Sequence, residues 1–148
     1  MDRIKVFLVD DQILMLDGLK TILSLHEVID VVGTATDGQQ ALAMIEETRP
    51  DVVLMDIRMP IMDGVECTRR IMEKYRDMHV VILTTFDDDE FIIQALSHGA
   101  SGYLLKDIDG EKLIQAIHDV LGGNLLLPSQ NAQAPAGRCS LPQTSPPA

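Results

Sequence analysis

Long apolar runs, cysteines and signal-like segments are all scarce in this sequence, and each shortage excludes a class of protein. No apolar run approaches the length of a membrane span. The opening residues, MDRIKVFLVDD, lack the charged start and long apolar stretch of a secretory signal, which predicts a cytoplasmic protein with no membrane partner. The two cysteines, Cys67 and Cys139, lie in a helical pattern and in a proline-rich segment, so they predict neither a disulfide framework nor a metal site.

Positive charge is scarce too, and the carboxyl-terminal segment contains little of any charge. With 12 Lys and Arg against 23 Asp and Glu, the formal net charge is −11, which argues against non-specific nucleic-acid binding. After about residue 127 the sequence PSQNAQAPAGRCSLPQTSPPA holds five of the seven prolines, a composition typical of linkers and disordered tails. We therefore predict one domain over residues 1–124 and a linker or disordered tail over 125–148, with no amphipathic helix pair that would read DNA.

Short β-rich runs alternate with longer segments of helical period, and the chain is long enough for one core. Strict strand–helix alternation predicts an α/β fold, a single (βα)5 unit whose parallel sheet is covered by helices on both faces. The second run alternates apolar and polar residues and so belongs nearer an edge. The predicted strands are 4–9, 28–35, 51–55, 79–85 and 101–106, and the predicted helices are 13–25, 38–48, 65–75, 88–99 and 110–123.

Polar side chains follow several of these strands at the point where each strand ends. They are Asp10 and Asp11 after the first strand, Asp56 after the third, Thr84 and Thr85 after the fourth, and Lys106 at the end of the fifth. Taken singly, Asp11 is also explained as a helix cap and Lys106 as an extended surface lysine. Because ligands bind outside the carboxyl ends of strands in open parallel sheets, the shared position favours one pocket, provided that strands one and three are neighbours.

Three carboxylates in one small pocket need a compensating charge. Two carboxylates about 4 Å apart repel by roughly 4 kcal/mol at an effective dielectric constant near 20, so such a group holds a proton or recruits a cation. Hard oxygen ligands with room for water suit Mg²⁺ or Mn²⁺. No histidine lies at a strand end with a ligand-like partner, which disfavours zinc, and no glycine-rich dinucleotide fingerprint or phosphate-binding loop is present.

A metal and a lysine beside a carboxylate are the equipment of phosphoryl transfer, where catalysis is largely positioning and charge neutralisation. A carboxylate can itself be the nucleophile and form an aspartyl phosphate. Asp56, the lone acid at the end of the apolar run VVLM, is the candidate phosphoacceptor, with Asp10 and Asp11 holding the metal. Lys106 would pair with the carboxylate and then with the phosphoryl group, and the Thr84 hydroxyl would donate to a phosphoryl oxygen.

Four motifs give these residues a family context: VDD after the first strand, LMDIRMPIMDG around Asp56, ILTT after the fourth strand and GYLLKD around Lys106. Over residues 3–124 they resemble the receiver domain of two-component response regulators, most closely the NarL/FixJ (LuxR-type) subfamily. The resemblance implies a flavodoxin/CheY-like strand order 2-1-3-4-5 and phosphotransfer to Asp56 from a sensor histidine kinase. It implies Mg²⁺ held by Asp11, Asp56 and the backbone carbonyl of Arg58, with Asp10 acting through water.

The resemblance also implies a conformational switch and an output. Phosphorylation would draw the Thr84 hydroxyl inward, and the Tyr103 ring would move into the vacated space. Many receivers have proline after the lysine, where a cis bond is expected, but here Asp107 follows Lys106. The expected output is transcription through a helix-turn-helix domain not found in this sequence, with homodimerisation on phosphorylation and no dedicated enzymatic role.

Three alternatives remain at this point. A stand-alone receiver that shuttles phosphoryl groups needs no DNA-binding domain. A metal-dependent phosphatase with an aspartate nucleophile would need a second acid two residues further on, where this chain has Arg58. A flavodoxin-type electron carrier would need aromatic rings around its flavin, and the chain has only Tyr75, Tyr103 and three phenylalanines.

Overall fold

The structure, a computed structural model, describes residues 3–84 and 89–123. Its ten elements alternate as predicted, and every boundary lies within two residues of the predicted one. Thr85, the predicted start of the fourth helix, Cys139 and the predicted tail lie outside the described residues. The elements are β1 (Ile4–Val9), α1 (Ile13–Ser24), β2 (Ile29–Ala35), α2 (Gly38–Thr48), β3 (Val52–Asp56), α3 (Gly64–Lys74), β4 (His79–Thr84), α4 (Asp89–Ser97), β5 (Gly102–Leu105) and α5 (Gly110–Leu121).

The five strands form one parallel sheet in the order β2-β1-β3-β4-β5, which confirms the predicted fold class. β2 lies at an edge, and β1 is hydrogen-bonded to β3, the condition on which a shared acidic pocket depended. The prediction that β3 ends before Asp56 was wrong by one residue. Asp56 is still in register with Leu83 of β4, so Asp56 belongs to the hydrogen-bonded ladder between these two central strands.

The sheet separates two apolar cores. One, packed between the sheet and helices α2, α3 and α4, includes Phe7, Val53 and Ile82. The other, beneath α1 and α5, includes Leu8 and Leu54. Every residue of β3 is buried, as expected for a central strand covered on both faces. Asp56 is therefore a carboxylate at the end of an otherwise apolar buried strand.

Aspartates begin three of the helices. Asp37, Asp63 and Asp109 precede α2, α3 and α5, and each side chain accepts a hydrogen bond from a backbone N–H of the first turn. In contrast, α1 begins after Gln12 with no side-chain cap, so the alternative role of Asp11 as a helix cap is not found.

Three further predictions about the chain can be compared with the described residues. Cys67 is buried and takes part in no disulfide. The peptide bonds across the described ranges are all trans, including the one between Lys106 and Asp107. Within residues 3–84 and 89–123, no helix combines the length and the apolar character needed to cross a bilayer.

Candidate functional site: an acidic pocket at the carboxyl ends of the central strands

Three carboxylates meet at the carboxyl ends of β1 and β3. Asp10 and Asp11 follow β1 directly and Asp56 is the last residue of β3; one oxygen from each lies within 4.8 Å of the others. Asp10 is 1% exposed and Asp56 5%, whereas Asp11 is on the surface. The parallel arrangement explains the meeting, because neighbouring parallel strands end at the same edge of the sheet. We call these residues, together with Lys106, the acidic pocket.

Lys106 supplies the positive charge of this pocket. Its Nζ lies 2.9 Å from Oδ2 of Asp10 and 3.1 Å from Oδ1 of Asp56, and its side chain is only 10% exposed. The residue follows β5, two strands away from β3, and its backbone N–H donates to the carbonyl of Thr84 at 2.7 Å. Lys106 therefore bridges two buried carboxylates and does not extend over the surface into solvent.

The electrostatics of the acidic pocket favour the protonated, neutral form of Asp56. Burial, and next the negative charge of Asp10, raise the pKa of Asp56 to about 6, although Lys106 acts in the opposite direction. Burial alone would lower the pKa of Lys106, but its contacts with Asp10 and Asp56 outweigh burial and raise it. Three carboxylates facing one ammonium leave an excess of negative charge.

The donor set fits a divalent cation that prefers oxygen ligands. Oδ1 of Asp10 accepts from the backbone N–H of Gln12 at 2.9 Å, which fixes the orientation of this carboxylate. Its buried Oδ2 has no partner in hydrogen-bond geometry, so the contact with Lys106 is an ion pair that leaves lone pairs available. Closely spaced carboxylate oxygens with solvent on one side, through exposed Asp11, are the ligands that Mg²⁺ or Mn²⁺ takes in proteins.

Thr84 and Tyr103 lie on one face of the sheet, on the neighbouring strands β4 and β5. Thr84 is the last residue of β4 and is 1% exposed. Tyr103 is paired with Ile82 across β4 and β5 and packs, half-buried, against the core beneath α2, α3 and α4. Because side chains alternate along a strand, Thr84 lies on the same face as Ile82, and hence as Tyr103. Arg58 is exposed, in the loop between β3 and α3.

Sequence reasoning missed how closely the loop after β3 is packed against the phosphoacceptor candidate. The backbone N–H of Gly64 donates to the carbonyl of Ile57 at 2.9 Å, and a Cβ at Gly64 would overlap the carbonyl oxygen of Asp56. Within the loop, Ile61 has φ +70°, rare for a β-branched residue, and Met62 N–H donates to Pro60 at 2.7 Å. Asp63-Gly64 is a dipeptide typical of turns, but nothing in it predicts this contact.

Comparisons with known proteins identify the family to which this fold belongs. The family model described as the response regulator receiver domain matches residues 6–118. The transcriptional regulatory protein LnrK of Bacillus subtilis (strain 168) is 44% identical over 127 residues, which are 86% of this chain and 58% of LnrK. The chain thus spans less than two thirds of the length of this curated relative.

Solved structures show the same fold. The signal receiver domain of the response regulator NarL from Mycobacterium tuberculosis superposes with a TM-score of 0.79 at 35% identity, covering 84% of this chain and 100% of that one. A complex of CheX with CheY, BeF3 and Mg²⁺ from Borrelia burgdorferi gives a TM-score of 0.74 at 28% identity. The superposition covers 80% of this chain and 90% of that one. With its strand order, its acidic pocket and its match to the family model, the chain belongs to the response regulator receiver domains, and its relatives are of the NarL/LuxR type.

Proposed function

We propose that Asp56 accepts a phosphoryl group from a phosphohistidine on a sensor histidine kinase. The observation that carries the proposal is the buried Asp56 carboxylate, 3.1 Å from the Lys106 ammonium and within 4.8 Å of the carboxylates of Asp10 and Asp11. In the transfer, an Asp56 oxygen forms a bond to phosphorus while the bond between phosphorus and the histidine nitrogen breaks. The histidine ring keeps the electron pair and takes up a proton.

Each residue of the acidic pocket has a proposed part in this reaction. Lys106 holds Asp56 before transfer and, as the phosphoryl oxygens arrive, neutralises part of their charge. Asp11, Asp56 and the backbone carbonyl of Arg58 would hold Mg²⁺ or Mn²⁺, with Asp10 acting through water. The bound ion supplies positive charge to the transferred oxygens. The Gln12 N–H and Lys106 orient Asp10 so that it faces the same space.

The proposed response to phosphorylation begins at Thr84. A phosphoryl group near −2 charge adds acceptor oxygens beside the Thr84 hydroxyl and the Lys106 ammonium. The hydroxyl moves toward the phosphoryl group, and the Tyr103 ring follows into the space on the same face of the sheet. The placement of both residues on that face supports this sequence of movements.

The proposed output is transcriptional control through a DNA-binding domain outside this sequence, in a cytoplasmic protein. LnrK, which is named a transcriptional regulatory protein, supports this, since the chain spans 58% of its length. We expect phosphorylation to promote a homodimer through α4, β5 and α5 or through α1 and α5. A receiver that only shuttles phosphoryl groups would not change its assembly. Beyond its own phosphorylation and hydrolysis we propose no enzymatic activity, and Arg58, in place of a second acid, disfavours a phosphatase.

The test is incubation with acetyl phosphate and Mg²⁺, read by intact mass and by sedimentation. We expect one added phosphoryl group that is labile to base, and a larger sedimenting species. Asp56→Ala and metal-free buffer should both abolish the added mass. Asp51→Ala should not, because it removes an exposed acid at the amino end of β3, away from the pocket. Multiple turnover of simple phosphomonoesters would contradict the proposal and support the phosphatase.

A further inference from the structure

Gly64, the first residue of α3, lies unusually close to the backbone at the end of β3. A Cβ placed on it would overlap the carbonyl oxygen of Asp56 and would lie 2.8 Å from the Cα of Ile57. Both obstacles are backbone atoms, which cannot rotate away as the end of a flexible side chain can. Any side chain at this position would therefore displace either the start of α3 or the peptide that joins Asp56 to Ile57.

Space, and not backbone conformation, explains the glycine at this position. Gly64 is not among the described residues with positive φ, so its backbone conformation is open to other amino acids. Alanine is the better helix former and would favour α3 more. The N–H of Gly64 donates to the carbonyl of Ile57 at 2.9 Å, a bond that alanine would keep. The missing Cβ is thus the property of Gly64 that this packing uses.

The helix that rests on this peptide is itself firmly held. The side chain of Asp63 caps α3 by accepting from the backbone N–H of Glu66 at 2.9 Å. Val65 and Cys67, in the first turn, are buried in the same apolar core as Ile57. Because interiors are closely packed, α3 cannot retreat from β3 without opening that core. The first turn of α3 is therefore a fixed support for the end of β3.

The peptide beneath Gly64 belongs to the acidic pocket. Asp56 carries the carboxylate that lies 3.1 Å from the Lys106 ammonium. The next carbonyl after Ile57, that of Arg58, is a proposed ligand of the divalent ion. Mg²⁺ requires nearly ideal octahedral geometry, with ligands at about 2.0–2.1 Å. A shift of this peptide by more than about 0.5 Å would therefore disturb the site, since binding groups must be placed to that precision.

We propose that Gly64 is a positioning residue for the divalent ion: because it has no side chain, the first turn of α3 lies against the Asp56–Ile57 peptide and fixes it where the ion requires it. Gly64 is not a ligand, and its effect passes through the backbone of Asp56. The inference rests on the part of the proposed function that assigns a divalent ion to the acidic pocket.

Calorimetric titration of the full chain with Mg²⁺ tests this role. Gly64→Ala adds only a methyl group and should weaken Mg²⁺ binding by about 10- to 100-fold, the range for residues that support metal ligands without touching the ion. In metal-free buffer, the amide NMR signals of Asp56 and Lys106 should also shift, because the geometry changes before any ion binds. A merely structural glycine would lower the melting temperature and leave both readouts unchanged.

Two other glycines provide matched controls. Gly33→Ala would place its Cβ 2.7 Å from the ring of Phe7, in the core between β1 and β2, so it should lower the melting temperature without changing Mg²⁺ affinity. Gly18→Ala, on the exposed side of α1, has no heavy atom within 4 Å of its Cβ and should weaken neither stability nor binding. An equal loss of affinity in Gly33→Ala and Gly64→Ala would overturn the proposal.

Gly38→Ala decides the question if Gly64→Ala does not fold. Its Cβ would lie 2.7 Å from the carbonyl oxygen of Met62, so it pushes on the same β3–α3 loop two residues before Gly64. We expect a smaller loss of Mg²⁺ affinity than for Gly64→Ala, in the same direction. Circular dichroism at the titration temperature verifies that each variant is folded.

The outcomes distinguish this inference from the proposed function. If wild type binds Mg²⁺ and folded Gly64→Ala, or Gly38→Ala in its place, binds equally tightly, only the inference is overturned. If wild type binds no Mg²⁺, the proposed ion and the inference fail together. If wild type binds Mg²⁺ but acetyl phosphate does not label Asp56, phosphotransfer fails, and the titrations still decide the role of Gly64.

Discussion

Two clusters in this molecule both combine carboxylates with cationic side chains, but they differ in charge balance and in exposure to water. The acidic pocket is buried except for Asp11, and it has three carboxylates for one ammonium. The second cluster lies along the exposed face of α3, and we call it the α3 ladder. Its members are Glu66, Arg69, Arg70 and Glu73, spaced three or four residues apart so that opposite charges meet on one side of the helix.

The pKa values of the two acids at the centres of these clusters move in opposite directions. Hydrogen bonds from Arg69, and then from Arg70, lower the pKa of Glu66 to about 2. Burial, and then Asp10, raise the pKa of Asp56 to about 6. The comparison shows how charge balance and exposure to water set the pKa of a carboxylate: balanced, exposed Glu66 is held ionised, whereas buried Asp56 favours a proton. The α3 ladder has little to gain from a further ion, whereas the acidic pocket gains by binding a cation or a proton.

The largest effect should come from removing the one ammonium of the pocket. In buffer without divalent ions, Lys106→Met should lower the free energy of unfolding by about 3 kcal/mol, because it leaves buried carboxylates uncompensated. Added Mg²⁺ should restore part of the loss, since a bound cation replaces the missing charge. Urea denaturation with and without Mg²⁺ measures both effects.

Lys74→Met is the matched control. Lys74 pairs with Glu46 at 2.9 Å, but both side chains are more than half exposed, so water and salt replace the pair at little cost. We expect a melting temperature close to that of the wild type. Equal losses in the two lysine variants would show that burial does not distinguish the pocket from the surface.

Asp56→Asn should have a smaller and opposite effect. Removing one of three close carboxylates should stabilise the fold at neutral pH without divalent ions by about 1–2 kcal/mol, since relief of repulsion exceeds the loss of the Lys106 pair. The pKa of Asp56 is raised from 3.8 to about 6 on folding, so between these pH values the folded state keeps a proton that the unfolded state has released. Wild-type stability therefore falls as pH rises through this interval.

Denaturation curves at several pH values measure this dependence. The advantage of Asp56→Asn over the wild type should be greatest above pH 6 and should shrink as the pH falls toward 4. An advantage that stays constant with pH would mean that Asp56 does not titrate in this window.

The smallest effect should come from the α3 ladder. Glu66→Gln should lower the melting temperature slightly, and 1 M salt should remove the difference. At this salt concentration the Debye length is roughly 3 Å, so exposed ion pairs are strongly screened. The pKa of Glu66 is lowered on folding, so its contribution is present above the ordinary value of 4.5 and is lost as pH falls toward about 2. Thermal melts at low and high salt measure the difference; a large, salt-independent loss would contradict this account.

The fold and the meeting of the acids follow from patterns that the sequence displays directly. Apolar runs of four to six residues, such as the one from Val52 to Met55, alternate with helical periods, and this alternation predicts a parallel sheet. The carboxyl ends of parallel strands share an edge, so Asp10, Asp56 and Lys106 were expected on the same side. The strand boundaries that differ do so by one residue, because strand pairing, not local composition, decides where a strand ends.

Other features of the site depend on distances between segments far apart in sequence. The second contact of Lys106, with Asp10, requires the spacing of β1 and β5 across the sheet. The contact of Arg58 with Phe91 requires the position of α4, and the tight packing of Gly64 on Asp56 requires the path of the whole β3–α3 loop. The roles of the pocket residues in phosphotransfer and switching stay predictions.

The order of the strands has a consequence for when the protein can receive a signal. Asp10, Asp56 and Lys106 come from β1, β3 and the end of β5, nearly a hundred residues from first to last, and they meet only in the complete sheet. A nascent or damaged chain that has not paired β5 with β4 presents the aspartates of β1 and β3 without the Lys106 ammonium. If Asp56 is phosphorylated as proposed, only a chain that has completed the sheet has the arrangement that the transfer requires.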